Sequence, residues 1–303
     1  MYGRLGSYPA RVERVVALVC NPSAGGGRAA RVLPEVEAAL RGLDVSFHTE
    51  ITRDFAHARA LARAAAVAGE LTVTLSGDGL VGCVAGALSE IPGAVLGVLP
   101  GGRGNDLARV LGIPSDLRAA CRIVAAGRER PLDLGDVDGH PFIGIASLGF
   151  DSDANRIANE APSRLGKLVY VYGGLRALAA WKPARFELRL DGRPLAFTGY
   201  TVAAANSTSY GGGMQLAPHA SLSDGLLDIV LIARHSKAGF LATLPKVFKG
   251  EHTTHPAVRV ERARELHVDA DRPFDIYADG DPVGRTPATI RVTPAAVGVL
   301  APR

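Results

Sequence analysis

Up to about Asp133, short unbroken apolar runs alternate with stretches rich in Ala and Arg. The runs at residues 15–20, 71–75 and 94–99 are each long enough for one strand buried on both faces. Residues 29–41, 56–68, 81–88, 107–111 and 117–126 carry helix-like patterns between and after them. Buried strands separated by helices predict parallel βαβ units. From about Leu134 the texture changes. Residues 142–145, 186–190, 196–204, 226–232, 258–260, 266–268 and 288–292 read as short strands, punctuated by the turn signals Asp191-Gly192 and Asp279-Gly280. This part predicts an antiparallel sandwich or barrel, with helical inserts at residues 164–181 and 237–248. The expected division is an α/β domain at residues 1–134, rejoined by residues 295–303, and an all-β domain at residues 135–294.

A chain of 303 residues can fill two such cores. Hydrophobic residues make up 47% and mean hydropathy is +0.14. No apolar run reaches the roughly 18 residues of a spanning helix, and residues 1–14 lack the apolar centre of a secretory signal. Cys20, Cys83 and Cys121 are too scattered for a metal pattern and read as free thiols of a reducing, cytoplasmic compartment. The eight histidines show no zinc spacing. The net charge of +4 suits docking on anionic headgroups as well as it suits an arginine-rich surface. With 6% aromatic residues and no basic stripe interleaved with them, a nucleic-acid partner is not expected. Nothing here sets the oligomeric state, and a homodimer is left open.

The candidate chemistry lies in three glycine-rich turns, each where a buried strand should end. They are Asn21-Pro22-Ser23-Ala24-Gly25-Gly26-Gly27, Ser76-Gly77-Asp78-Gly79 and Gly101-Gly102-Arg103-Gly104-Asn105-Asp106. Such turns let backbone amides approach an anion closely. The spacing fits neither the Walker A loop nor the dinucleotide fingerprint. Turns of this kind on one sheet predict a nucleotide phosphate site at the carboxyl ends of the strands.

In order along the chain, Asn21-Pro22…Gly25-Gly26, the Gly77-Asp78-Gly79 turn and Pro100-Gly101-Gly102-Arg103-Gly104-Asn105-Asp106-Leu107-Ala108-Arg109 resemble the diacylglycerol/sphingosine lipid kinase family. That family shows NPxxG, GGDGT and PxGTxNDFAR. Asn206…Tyr210-Gly211-Gly212-Gly213-Met214…Asp224-Gly225-Leu226-Leu227-Asp228 resembles its second-domain signature, and Asp279-Gly280-Asp281 its DGE motif. The resemblance implies a Rossmann-like nucleotide domain joined to a β-sandwich, with the site in the cleft between them. It implies ATP and Mg²⁺ as cofactors and a lipid substrate met at the membrane surface, most simply diacylglycerol giving phosphatidic acid.

By the same resemblance Gly77, Gly79, Gly102, Arg103 and Gly104, with Asn21 and Asn105, hold the nucleotide phosphates. Asp78, Asp106 and Asp133 surround Mg²⁺, Asp224 holds a structural Mg²⁺, and Asp281 stands where the family has its glutamate base, one methylene shorter. The chain departs from the family pattern at Leu80 and Arg103, which replace threonines, and at Cys83 and Gly86, which replace glutamate and asparagine. Arg103 can still meet a phosphate, through a forked cation; Leu80 cannot donate. These departures leave a degenerate, binding-only relative as one alternative, and NAD kinase, which shares the GGDG turn, as another. The apolar positions within residues 165–181 are expected either to form a lipid-facing lip or to pack on the sandwich.

Overall fold

A computed structural model describes residues 14–160, 176, 178 and 180–302. The first half follows the βαβ pattern: β1 (Val16–Cys20), α1 (Ala24–Arg41), β2 (Phe47–Ile51), α2 (Phe55–Val67), β3 (Leu71–Ser76), α3 (Asp78–Leu88), β4 (Val95–Pro100), α4 (Asp106–Val110) and α5 (Leu117–Ala126). β1 lies between β2 and β3, and β3 pairs β4, all in parallel register. The residues of β1, β3 and β4 are buried throughout, which is why they read as continuous apolar runs. β2 is a half-exposed edge strand, Phe47-His48-Thr49-Glu50-Ile51, and its polar residues hid it from the hydrophobic pattern.

The second half is antiparallel: β5 (Arg128–Val137), β6 (His140–Phe142), β7 (Ile145–Gly149), α6 (Phe150–Glu160), β8 (Ala184–Leu190), β9 (Arg193–Ala205), β10 (Leu227–Ala233), α7 (Lys237–Val247), β11 (Val258–Ala263), β12 (Glu265–Ala270), β13 (Asp275–Ala278), β14 (Asp281–Arg285) and β15 (Ala288–Ala301). β9 changes partners along its length. Its first residues pair β8, and residues from Thr201 onward lie between β7 and β10. One layer therefore runs β14-β13-β7-β9-β10-β11 and the other β9-β8-β12-β15-β5-β6. Leu148, Val202, Ile229 and Ile276 of the first layer share a core with Phe186, Leu188, Leu266 and Ile290 of the second. The parallel half keeps its own core around Leu18, Val73, Leu75, Val84, Leu96 and Leu99.

The two halves are not separate sheets. β15 begins against β12, runs along β5 for most of its length, and ends with Gly298 and Val299 parallel to Val95 and Leu96 of β4. Residues 295–301 thus return to the parallel sheet. The apolar segment at residues 165–181 lies mostly outside the described residues. Leu178 and Trp181 are described, and both are buried in the second core rather than presented as a lip.

Asp133, on β5, clamps this crossing. Its carboxylate accepts the amides of Gly225 and Ala295, both at 2.7 Å, while its own amide donates to the Leu222 carbonyl and its carbonyl accepts from Asn206 Nδ2 at 2.8 Å. The side chain is 2% exposed, so removing it strands two buried amides. Asp133→Ala should destabilise the protein by about 2–4 kcal/mol in urea unfolding, each orphaned donor costing about 1–3 kcal/mol. The loss should be the same in Mg²⁺ and in EDTA; a loss seen only in Mg²⁺ would make Asp133 a metal ligand instead.

Candidate active site

The three glycine turns nest against one another at the carboxyl edge of β1, β3 and β4. A Cβ on Gly25 would sit 2.7 Å from the Gly101 carbonyl oxygen, one on Gly101 would sit 2.9 Å from the Ser76 nitrogen, and one on Gly102 would overlap the Gly77 Cα. Side chains do not fit at these contacts, and that is why the sequence spends glycines there. The Gly101 amide donates to the Ser76 carbonyl at 2.9 Å, locking the second turn to the third. Gly25, Gly26 and Gly27 all take positive φ, so the regular turns of α1 start only beyond them.

Arg103 is exposed, and its guanidinium lies over this first turn: Nη2 is 3.4 Å from where a Gly26 Cβ would stand. Arg28 and Arg31 sit on the same turn, bonded to the carbonyls of Pro100 and Gly26. Three guanidinium groups thus ring the nested glycines. The two asparagines are used locally. Asn21 Oδ1 accepts from the amide and hydroxyl of Ser23, and Asn105, held at φ 51°, closes its loop by pairing both amide atoms with the Gly102 backbone. Both side chains shape turns through their oxygens, while Asn21 Nδ2 and the second N–H of Asn105 Nδ2 make no bond among the described residues and remain available to donate to a phosphate.

Asp78 opens α3 and Asp106 opens α4. Asp78 Oδ1 accepts from the Leu107 amide at 3.1 Å. Asp106 Oδ1 is ion-paired with Arg109, whose other nitrogen binds the Gly104 carbonyl, and Oδ2 accepts from the Gly212 amide at 2.8 Å. The outer oxygens of the two aspartates meet at Gly104, where a Cβ would lie 2.9 Å from Asp78 Oδ2 and 3.3 Å from Asp106 Oδ2. The bare glycine leaves that space open. Burial pushes the Asp78 carboxyl pKa up, and the Asp106 charge adds to the shift. Asp78 Oδ2 thus faces the Asp106 carboxylate, and a Mg²⁺ held between them with its water and phosphate ligands would have to share Asp106 with the Arg109 guanidinium and the Gly212 amide.

Asp133 and Asp224 do not join this pair. Asp133 has both oxygens occupied by backbone amides, as described above. Asp224 Oδ1 accepts from the Leu226 amide, and Oδ2 is ion-paired with Arg262, which also reaches Asp228 at 3.3 Å. A guanidinium supplies the positive charge there, so the expected structural Mg²⁺ site is not an open carboxylate set. Among the described residues no three His, Cys, Asp or Glu side chains form a metal-holding group.

The β13–β14 hairpin brings in the second half. Ala278 pairs Asp281 across Asp279 and Gly280, which take φ 50° and 95°, the signature of a tight hairpin turn. Asp279 points inward, where its carboxylate accepts the amides of Ile143, Gly144 and Ile145 at 2.8, 2.9 and 3.1 Å. A Cβ on Gly82 of α3 would lie 3.3 Å from its Oδ2. Asp281 points at the turn before α3: its Oδ2 is 3.9 Å from a Cβ position on Gly79, which also faces Phe55 Cζ at 3.7 Å. Desolvation raises the Asp281 pKa. The hairpin therefore sets one exposed carboxylate over the Gly77-Asp78-Gly79 turn and anchors it with one buried carboxylate.

Of the departures from the family pattern, Leu80 is 2% exposed and packs in the first core, and Gly86 makes room for the Pro141 ring of β6. Neither lies at the nested turns. Cys83 bridges the Phe55 carbonyl and Arg59 beside Asp281. Arg109, Gly212 and the Asp279 anchor were not assigned from the sequence. Arg109 was readable, three residues after Asp106 on one helix face; the Gly212 contact is long-range and left no local signal.

Residues 15–137 match the family model described as the diacylglycerol kinase catalytic domain, and residues 144–301 match the YegS C-terminal NAD kinase beta sandwich-like domain. A diacylglycerol kinase of Mycobacterium tuberculosis is 37% identical over 96% of both chains. The chain belongs to the diacylglycerol kinase family. Another relative, the diacylglycerol kinase of Bacillus subtilis, is 30% identical over 89% of this chain and 90% of its own. A solved Bacillus anthracis diacylglycerol kinase shares the fold with a TM-score of 0.75 at 20% identity, covering 95% of this chain and 97% of that one. The yeast NADH kinase, solved with NADH, gives a TM-score of 0.54 at 10% identity, covering 97% and 84%. The two-part architecture is thus common to this family and to the NADH kinase fold.

Burial raises the pKa of Asp279 from 3.8 to about 6, against the opposing pull of its three amide donors, and the Asp78 charge adds to the rise. The folded state therefore holds this proton more tightly than the unfolded chain. Its contribution to stability is complete below about pH 4 and is lost as pH rises through about 6. Asp279→Asn carries no titrating group, so its stability relative to the parent should climb by up to about 3 kcal/mol between pH 4 and 7. Parallel stability curves for the two proteins over that range would show that Asp279 does not titrate there.

Proposed function

We propose that the protein is an ATP-dependent lipid kinase that transfers the γ-phosphoryl group to a lipid hydroxyl, with diacylglycerol as acceptor and phosphatidic acid as product. The observation that carries this reading is the closeness of Asp281 to Gly79, in the turn that also holds Asp78. Phosphoryl transfer needs a clamped triphosphate, neutralised charge and a base at the acceptor. The nested glycines and Arg103 form the clamp, with Arg28 and Arg31 behind them. Asp78 and Asp106 would hold Mg²⁺, which when bound neutralises phosphate charge.

Asp281 accepts the proton of the acceptor hydroxyl as its oxygen bonds to the terminal phosphorus and ADP departs. Its raised pKa makes it a better base than a free aspartate. Asp279 holds the hairpin and touches no reacting atom. Asp133 and Asp224 are structural in this account. In this reading the lipid is met by docking on a membrane surface, from the cytoplasm; no helix among the described residues is long and apolar enough to cross a membrane.

Asp281→Asn should lower kcat by about 10²–10⁴ and leave Mg·ATP affinity near its parental value, because the change keeps the side-chain size and removes only basicity. Arg103→Ala should instead weaken Mg·ATP binding, by about 1–3 kcal/mol, the scale of a charged hydrogen bond. The assay is transfer from labelled ATP to diacylglycerol in mixed micelles, with NAD as the rival acceptor and calorimetric binding alongside. Parental turnover by Asp281→Asn moves the base elsewhere. Transfer to NAD alone, or no binding of ATP by the parent, overturns the lipid-kinase reading.

A further inference from the structure

From Ile229 to Gly250 the chain contains no acidic residue, while Arg234, Lys237, Lys246 and Lys249 are all cationic. The protein has five lysines against 29 arginines, and three of the five lie in this one segment. The segment is α7 with its flanks. Ser236 caps its start by accepting the Gly239 amide at 3.1 Å. Phe240 anchors its inner face, with its ring 4.7 Å from those of both Tyr200 and Phe150.

The outer face is apolar and basic at once. Leu241 and Phe248 are 39% and 56% exposed, and Ala242, Pro245, Lys246 and Lys249 are exposed beside them. Among the described residues of the second half, Val260 is the one other large apolar side chain so exposed. Among the described residues neither Lys246 nor Lys249 has a side-chain partner. Glu251 follows on the next short helical turn and is the nearest acid along the chain.

The face is also tied to the active site. The Val247 carbonyl accepts the Gln215 amide at 3.0 Å, Met214 pairs with Tyr210, and between them Gly212 donates to Asp106. One continuous piece of backbone therefore links the basic end of α7 to the cleft.

The geometry points to α7 and residues 248–249 as the element that docks the protein on an anionic lipid bilayer. Leu241 and Phe248 enter the headgroup–acyl boundary, and Lys246 and Lys249 lie over the anionic headgroups with their alkyl stems along the same apolar surface. Charge complementarity selects the bilayer over an apolar protein partner, since a rim of Lys246, Lys249, Arg234 and Lys237 with Glu251 as its one acid, around two exposed apolar anchors, matches a surface that is negative outside and apolar within. This inference rests on the lipid-kinase reading for its purpose, but its test does not.

Vesicle sedimentation measures it, without nucleotide or acceptor, using phosphatidylcholine mixed with phosphatidylglycerol and phosphatidylcholine alone. The parent should bind the mixed vesicles, lose binding with added salt, and bind neutral vesicles weakly. Lys246→Gln/Lys249→Gln should lower partition by about thirtyfold, each lysine near an anionic surface contributing about fivefold. Leu241→Ala/Phe248→Ala should lose binding to both vesicle types. All variants should keep the parental Tm and the parental kcat/KM toward a short-chain acceptor dispersed in water. Phe248→Trp should shift its emission to the blue on mixed vesicles. Parental partition by the glutamine and alanine variants, or an unshifted Phe248→Trp emission with vesicles bound, overturns the assignment. Failure of lipid phosphorylation with intact vesicle binding would instead overturn only the catalytic reading.

Discussion

The close approach of three strand ends governs the rest of this structure. Gly25 meets Gly101, Gly101 meets Ser76, and Gly102 meets Gly77 at distances that admit backbone alone. A side chain at any of these points would push the turns apart by more than packing can absorb. Because the turns are held together, the first residues of α3 and α4 lie side by side, and their aspartates face each other across Gly104. The site is thus a consequence of backbone contact between loops, and its charged residues are placed by it.

The second constraint is the repeated use of buried and half-buried aspartates as acceptors for amides from distant segments. Asp133 gathers Gly225 and Ala295; Asp279 gathers Ile143, Gly144 and Ile145; Asp106 reaches Gly212. Each bond joins backbone segments far apart in sequence. Charged acceptors make the stronger hydrogen bonds, and leaving their donors unpaired in the interior is costly. Together with β15, which pairs with both sheets, these clamps set the β13–β14 hairpin over α3. A carboxylate at Asp281 is then held where its neighbour Asp279 cannot drift.

The parallel strands were legible because burial on both faces writes an unbroken apolar run, as in residues 71–75. Most antiparallel strands were legible as short apolar runs between turns, but β13 and β14 were not read as strands, although the Asp279-Gly280 turn that joins them was. β2 was not legible either, since an edge strand with Glu50 and His48 has no such signature. The glycine turns came from local motifs, and the structure brings those turns together with Asp78, Asp106 and Asp281. The roles expected of all five aspartates, Asp133 and Asp224 included, came from resemblance. What distinguishes Asp133 and Asp224 is long-range: amides of Gly225 and Ala295 on one, the Arg262 guanidinium on the other. Leu80 likewise looked like a damaged phosphate contact in sequence, whereas its helix turns it into the core. Local sequence reports which chemistry is present, and tertiary contact decides which of it is free to act.

If the nested turns form the nucleotide site, calorimetric titration of Gly102→Ala with Mg·ATP, beside the parent and with folding checked by circular dichroism, should find a folded variant whose affinity falls at least about tenfold, since the new methyl group must move Gly77 and with it Asp78. Parental affinity in that variant, with the parent itself binding Mg·ATP, would show that the nucleotide is held somewhere other than these turns.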